Sequence, residues 1–230
     1  MSLYKAITYT KIFRSLKSKL DKDDFLSVRL TDGNAKRFLY FYKMFEKTKN
    51  LAGAVVECGV GMGRTFQMLG ILSQIYRRSL WGFDSFAGYP MPGIEDQGGI
   101  DPRRLNWKFI KEGDVPNVLR LARLSEDFIK NKVKTVKGFF RESLTTENIS
   151  KIGDITILHL DIGLYDAYQV CLEKLFPRVA VGGVIMFDEY KNPRTLIKTP
   201  GASKAIDEYL GERKSEISRD ELSGKYFFVK

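Results

Sequence analysis

The 230-residue chain has two cysteines and one histidine. Cys58 and Cys171 are far apart, form no CxxC pair and sit in apolar surroundings. That excludes a disulfide framework and a cysteine zinc site, and predicts two buried free thiols. No apolar run reaches the roughly 18–20 residues of a membrane span, and none follows the first basic residues as a signal peptide requires. A soluble, cytoplasmic protein is expected. Repeats, low-complexity tracts and interdomain linkers are also missing, so with 43% hydrophobic residues the chain reads as one domain with a large core.

Acidic residues are the minority: 28 against 38 Lys and Arg, a net charge of +10. Residues 1–50 hold twelve basic residues and five acids. Such an excess suits nucleic acid, an anionic surface or a solvated basic face. No RNP aromatic motif, zinc-finger spacing or Arg-rich block accompanies it, so a nucleic-acid partner is not expected.

Residues 4–20 place Tyr4, Ile7, Ile12, Phe13, Leu16 and Leu20 at helical spacing among basic residues, which predicts an amphipathic helix. A second helix is expected from a cap at Asn34 to about Asn50, with Ala35, Phe38, Leu39, Tyr42 and Phe45 inward. This 1–50 extension is expected to dock on the core or on a second copy, giving a homo-oligomer. From residue 51 the pattern changes. Apolar runs at 54–58, 80–84, 133–138, 155–162 and 183–190 alternate with helical stretches at 64–76, 117–131 and 165–176. After a helix at about 203–210, two extended pieces flank Ser223-Gly224. The expected fold is α/β: a doubly wound, mostly parallel seven-stranded sheet with an antiparallel C-terminal hairpin. The irregular stretch 85–116, rich in Pro and Gly, reads as a lid over a site.

The stretch VVECGVGMGRTF, Val55 to Phe66, ends a strand in three alternating glycines. Gly59, Gly61 and Gly63 free the backbone for positive φ and for close approach of a ligand. A dinucleotide fingerprint starting at Gly59 needs Gly or Ala at 64, where Arg64 stands; a phosphate-binding loop ending at Gly63-Arg64-Thr65 needs Gly at Cys58 and a Lys. NAD and ATP are therefore disfavoured. Asp84 ends the second strand 21 residues after Gly63, placed to accept two hydrogen bonds from a ribose diol while the glycine turn and helix N-terminus hold an amino-acid or phosphate end. S-adenosylmethionine fits both halves.

The fourth and fifth strands end in HLDI and FDEY, bringing Asp161, Asp188 and Glu189 to one rim of the sheet. Crowded carboxylates need positive charge: a hard cation such as Mg²⁺, or pairing with the surplus Lys and Arg. His159 points away from Leu158 and Leu160 and is read as structural.

LHLDIGLYDAYQVCLEKLFPRVAVGGVIMFDEY, together with WGFDSFAGYP, VKGFFRESL and TPGASKAIDEYL, resembles the macrocin O-methyltransferase (TylF) family, from about Arg37 to the C-terminus. The resemblance implies a Rossmann-like class I methyltransferase that uses S-adenosylmethionine, typically with Mg²⁺, to methylate a sugar hydroxyl of a glycosylated natural product or surface glycan. It implies that Glu57, Gly59, Gly61 and Gly63 hold the methionine end and Asp84 the ribose. Ser85, Gly138 and Phe139 would surround the adenine, and Asp161, Asp188 and Glu189 would be metal and catalytic carboxylates. Arg103, Arg104 and Trp107 on the 85–116 loop read equally as contacts to the acceptor or as a solvated lid. Two positions depart from the pattern: Gly163 replaces a second Asp, and Glu189 lengthens a second Asp of the DDY triplet. The alternatives are a non-catalytic S-adenosylmethionine-binding protein, to which Gly163 lends weight, and a nucleic-acid methyltransferase, which would lack its N-P-P-Y type tetrapeptide.

Overall fold

A computed structural model describes residues 28, 30–104, 109–191 and 199–230. Strands β1 (Ala54–Cys58), β2 (Leu80–Asp84), β3 (Val133–Lys137), β4 (Ile155–Leu160) and β5 (Val179–Phe187) pair in parallel. The short strands β6 (Ser218–Arg219) and β7 (Tyr226–Val229) complete one edge antiparallel. The order across the seven strands is β3-β2-β1-β4-β5-β7-β6. The order in which strands are added thus reverses between β1 and β4, and in open parallel sheets ligands bind outside the strands' carboxyl ends at such a switch point.

The central strands are apolar on both sides because helices cover both faces. Val55, Ile157, Val184 and Met186 pack with Phe41 and Phe45 of α1 (Asp32–Lys47) and Phe66 and Leu69 of α2 (Arg64–Ile75). α3 (Val115–Leu121) and α4 (Glu126–Lys132) extend that layer. On the other face, Val56, Leu158, Leu160 and Ile185 meet Leu172 of α7 (Tyr165–Leu175) and Ile206 of α8 (Pro200–Leu210). The short helices α5 (Phe140–Ser143) and α6 (Thr146–Ile152) precede β4.

The architecture is the one expected, with local differences. α1 starts three residues early, because the Thr31 side chain accepts from Asn34 N at 3.3 Å and caps the helix. Its buried residues are Tyr40, Phe41, Met44 and Phe45, while Leu39 and Tyr42 are about half exposed. Six of the seven residues in LYFYKMF are apolar, so periodicity does not select a face; the sheet does. The single helix expected over 117–131 is two, broken where Arg123 takes a φ of 59° and Ser125 caps the next turn. β5 begins before the expected Gly183, since Gly182 at φ 81° lets the strand bulge and resume its register. The expected 4–20 helix and Trp107 lie outside the described residues. Among the described residues, no helix is long and apolar enough to cross a membrane.

Candidate active site

β1 and β4 come so close at their carboxyl ends that only glycine fits between them. A Cβ on Gly59 would lie 1.9 Å from the Asp161 carbonyl oxygen. Two residues on, Gly61 has a φ of 54° and nothing within 4 Å of where a Cβ would stand, so its bare face opens on free space. Gly63 takes φ 76° and starts α2 without a side-chain cap, leaving the helix's first N–H groups to whatever occupies that space.

Asp84 braces the loop. Its carboxylate accepts from Gly61 N at 2.8 Å and from Phe86 N at 2.7 Å. One lone pair on each oxygen remains for a further donor. Gly138 N donates to the Asp84 carbonyl at 3.0 Å and so places Phe139 beside it.

These groups line a cleft of about 780 Å³ together with Ser85, Phe139 and Asp161. Gly59, Gly61, Asp84, Ser85, Phe139 and Asp161 are thereby brought to one cavity. Gly63 and Gly138 shape its walls from behind. Arg103 and Arg104 lie outside it, Arg103 paired to Asp101 at 2.7 Å.

Below the rim, carboxylate oxygens of Asp161, Asp188 and Glu189 lie within 4.8 Å of one another. Their environments differ sharply. Asp188 is met by Lys225 Nζ at 2.6 Å and by Arg37 at 3.5 Å. Burial alone would raise its carboxyl, but these two cations hold it below its ordinary value. Asp161 is raised to about 6, by burial first and the Asp188 charge second. Glu189 is pushed well up, by burial and then by Asp161 and Asp188, and it is gripped by the Tyr168 hydroxyl. Contact between Asp161 and Glu189 lowers the Asp161 carboxyl and raises that of Glu189. Three hard oxygen donors, two of them short of positive charge, fit a divalent cation; Lys225 and Arg37 already neutralise the third.

Glu57 does not reach the cleft. It is fully buried, 3.0 Å from His159 Nδ1. Burial lowers His159 to about 3, and burial raises Glu57 well above its usual range, so the pair is a neutral hydrogen bond and not an ion pair. The ring of Phe41 meets His159 edge-on at 5.3 Å. His159 is thus structural, as its strand position indicated.

Sequence reasoning did not find Arg37, Tyr168 or Lys225. Arg37 and Lys225 reach the carboxylates from elements remote in sequence, and Tyr168 reaches back to Glu189 from the helix that follows β4.

The family model for macrocin O-methyltransferase (TylF) matches residues 22–220. Demethyldecarbamoylnovobiocin O-methyltransferase of Streptomyces niveus is 30% identical over 167 residues, 70% of this chain and 59% of the relative. Mycinamicin III 3''-O-methyltransferase of Micromonospora griseorubida is 26% identical over 185 residues, 76% of this chain and 68% of the relative. The chain's match thus spans about three fifths to two thirds of these relatives. Among solved structures, the O-methyltransferase NovP superposes with a TM-score of 0.70 at 24% identity, covering 85% of this chain and 79% of that one. Calicheamicin methyltransferase CalS11 gives 0.69 at 24% identity, with the same coverage. Both likenesses support the fold.

Proposed function

The chain belongs to the macrocin O-methyltransferase (TylF) family, and from that premise we propose that it is an S-adenosylmethionine-dependent O-methyltransferase acting on a sugar hydroxyl. The observation that carries this reading is that one cleft joins the Gly61–Asp84 cradle to Asp161 of the carboxylate cluster. A ligand lying on the glycine loop is thereby next to a group able to take a proton. The relatives named for novobiocin, mycinamicin and calicheamicin point to the sugar of a glycosylated small molecule as acceptor.

When bound, S-adenosylmethionine supplies an activated methyl on a sulfonium sulfur. The open face of Gly61 and the uncapped start of α2 receive its amino-acid end, and Asp84 accepts from the ribose hydroxyls. Phe139 and Ser85 flank the position of the base. Asp161, Asp188 and Glu189 would hold a divalent cation, which would lower the pKa of a coordinated hydroxyl. Asp161 alone of the three lines the cleft: without a cation its carboxyl, raised to about 6, is matched to taking the acceptor proton near neutrality, and with one it would serve as a ligand instead. Lys225 and Arg37 fix Asp188, and Tyr168 fixes Glu189, so the cluster keeps its shape as that proton moves.

Asp84→Ala is expected to weaken S-adenosylmethionine binding by about 1.5–3 kcal/mol, the scale of hydrogen bonds to a charged group. Calorimetry checks this, and unchanged affinity would remove Asp84 from the site. The same assay with NAD and ATP should show no binding, because Arg64 and Cys58 break their loops. Finding S-adenosylmethionine or its demethylated product in the purified protein by native mass spectrometry would test the cofactor directly.

A second reading, cofactor binding without turnover, draws on Gly163 and on the capture of Asp188 by two cations. Bound cofactor with no methyl transfer to any sugar would favour it. We further propose a homo-oligomer, because Leu39 and Tyr42 of α1 are 47% and 45% exposed. A monomer by light scattering at micromolar concentration would refute this.

A further inference from the structure

We infer that Tyr89 is an acceptor-specificity residue, its ring seated on the bare backbone of Gly163 and its hydroxyl donating to an acceptor oxygen. The inference rests on the sugar-methylation reading above.

The turn after β2 is built to deliver this side chain. Asp84 accepts from Phe86 N at 2.7 Å, and Ser85 Oγ accepts from Ala87 N at 3.1 Å while donating to the Gly88 carbonyl at 2.6 Å. Phe86 and Gly88 take left-handed φ values of 50° and 91°. Such strain persists only where surroundings enforce it, and the buried Phe86 ring anchors the turn in the core. Tyr89 follows at once, so its backbone position is set by the same carboxylate that braces Gly61.

Gly163 supplies the seat. A Cβ there would lie 3.3 Å from Tyr89 Cε1, 3.8 Å from the Tyr89 hydroxyl oxygen and 3.3 Å from Thr199 Cγ2. The volume a side chain at 163 would claim is therefore bordered by the phenol and by the residue before α8. Gly163, two residues past Asp161, takes φ 75°, where a larger residue is strained whatever the space. Tyr89 lines the cleft with Asp161 and Asp84. Its half-buried ring faces the same cavity as the glycine loop. A phenol places a hydroxyl that can donate on an apolar ring. That pairing suits a sugar, whose hydroxyls accept and whose C–H face is apolar.

Tyr89→Phe keeps the ring and removes the donor. The test uses saturation-transfer NMR on protein loaded with S-adenosylhomocysteine, with TDP-rhamnose and simple methyl glycosides as probes. Wild type should bind at least one probe, and Tyr89→Phe should weaken that binding about tenfold while leaving the melting temperature and S-adenosylhomocysteine affinity unchanged. Gly163→Ala, which unseats the ring, should weaken the same probe, and the double variant should be no worse than the more affected single variant. Equal probe binding by wild type and Tyr89→Phe would overturn the inference. Absence of binding by the wild type to every probe would overturn the sugar-acceptor reading and this inference with it, a result distinct from the equal-binding one.

Discussion

Gly59→Ala is expected to lose cofactor binding and to fall close to the unfolding threshold. The added methyl would stand 1.9 Å from the Asp161 carbonyl oxygen and 2.9 Å from its carbon, with φ at 90°. That carbonyl cannot retreat freely. Asp161 N donates to the Cys58 carbonyl at 3.0 Å, Gly59 N donates to Phe83 at 2.8 Å, and Asp188 N donates to Leu160 at 3.0 Å, so β1, β2, β4 and β5 would move together. Backbone strain of roughly 1–3 kcal/mol adds to overpacking of similar size. Against a typical total stability of about 5–15 kcal/mol, that is a large fraction. Gly61→Ala gives the contrast. Nothing lies within 4 Å of its Cβ position, so its melting temperature should fall far less, while the methyl enters the cleft and S-adenosylmethionine affinity drops. Thermal melts and calorimetry on both variants check the pair. Equal melting temperatures for the two would show that the β1–β4 approach is looser than its geometry indicates.

That contrast marks what the sequence made legible. Glycines, Asp84 and the acids after β4 and β5 announce themselves because their meaning is local: a strand ends, a turn follows, and the topology carries the ends to one rim. Cys58 and Cys171 are both buried and free for a similarly local reason, each lying in an apolar element. What closes the site is not local. Lys225 reaches Asp188 from the C-terminal hairpin, 37 residues later in the chain, and Arg37 reaches it from α1. Both belong to a surplus of basic residues whose bulk is solvated, so nothing singled them out. Glu57 shows the opposite failure. An acid just before a glycine loop reads as a ligand contact, yet in a strand covered on both faces its side chain turns to His159 and away from the cleft. Strand register, which depends on every neighbouring strand, decides that question.

Lys225→Met is expected to be the most destabilising change outside the glycine loop, and the one most responsive to metal. Lys225 and Asp188 are each only 14% exposed and 2.6 Å apart. Removing one partner of a buried pair leaves an uncompensated charge, at a cost of about 3–5 kcal/mol; Arg37 at 3.5 Å offsets part of it. The sign with pH follows from the shifts. The Asp188 carboxyl is held below its ordinary 3.8, so its pair contributes stability above that value and loses it as pH falls through the lowered one. Asp161 runs the other way: raised to about 6, it costs stability as pH climbs from its ordinary 3.8 to about 6, and the cost is constant above. A divalent cation held here would have to displace the Asp161 proton below that point and the proton of the Glu189 carboxyl, itself pushed well up, so metal affinity should rise with pH through about 6 and beyond. In the variant, the freed Asp188 becomes a third anionic donor. Mg²⁺ or Mn²⁺ should therefore raise the melting temperature of Lys225→Met more than that of the wild type, and more at pH 7 than at pH 5. Equal metal-induced shifts in both proteins at pH 7 would mean that Asp188 takes no part in holding a cation, leaving Asp161 and Glu189 as its only carboxylates.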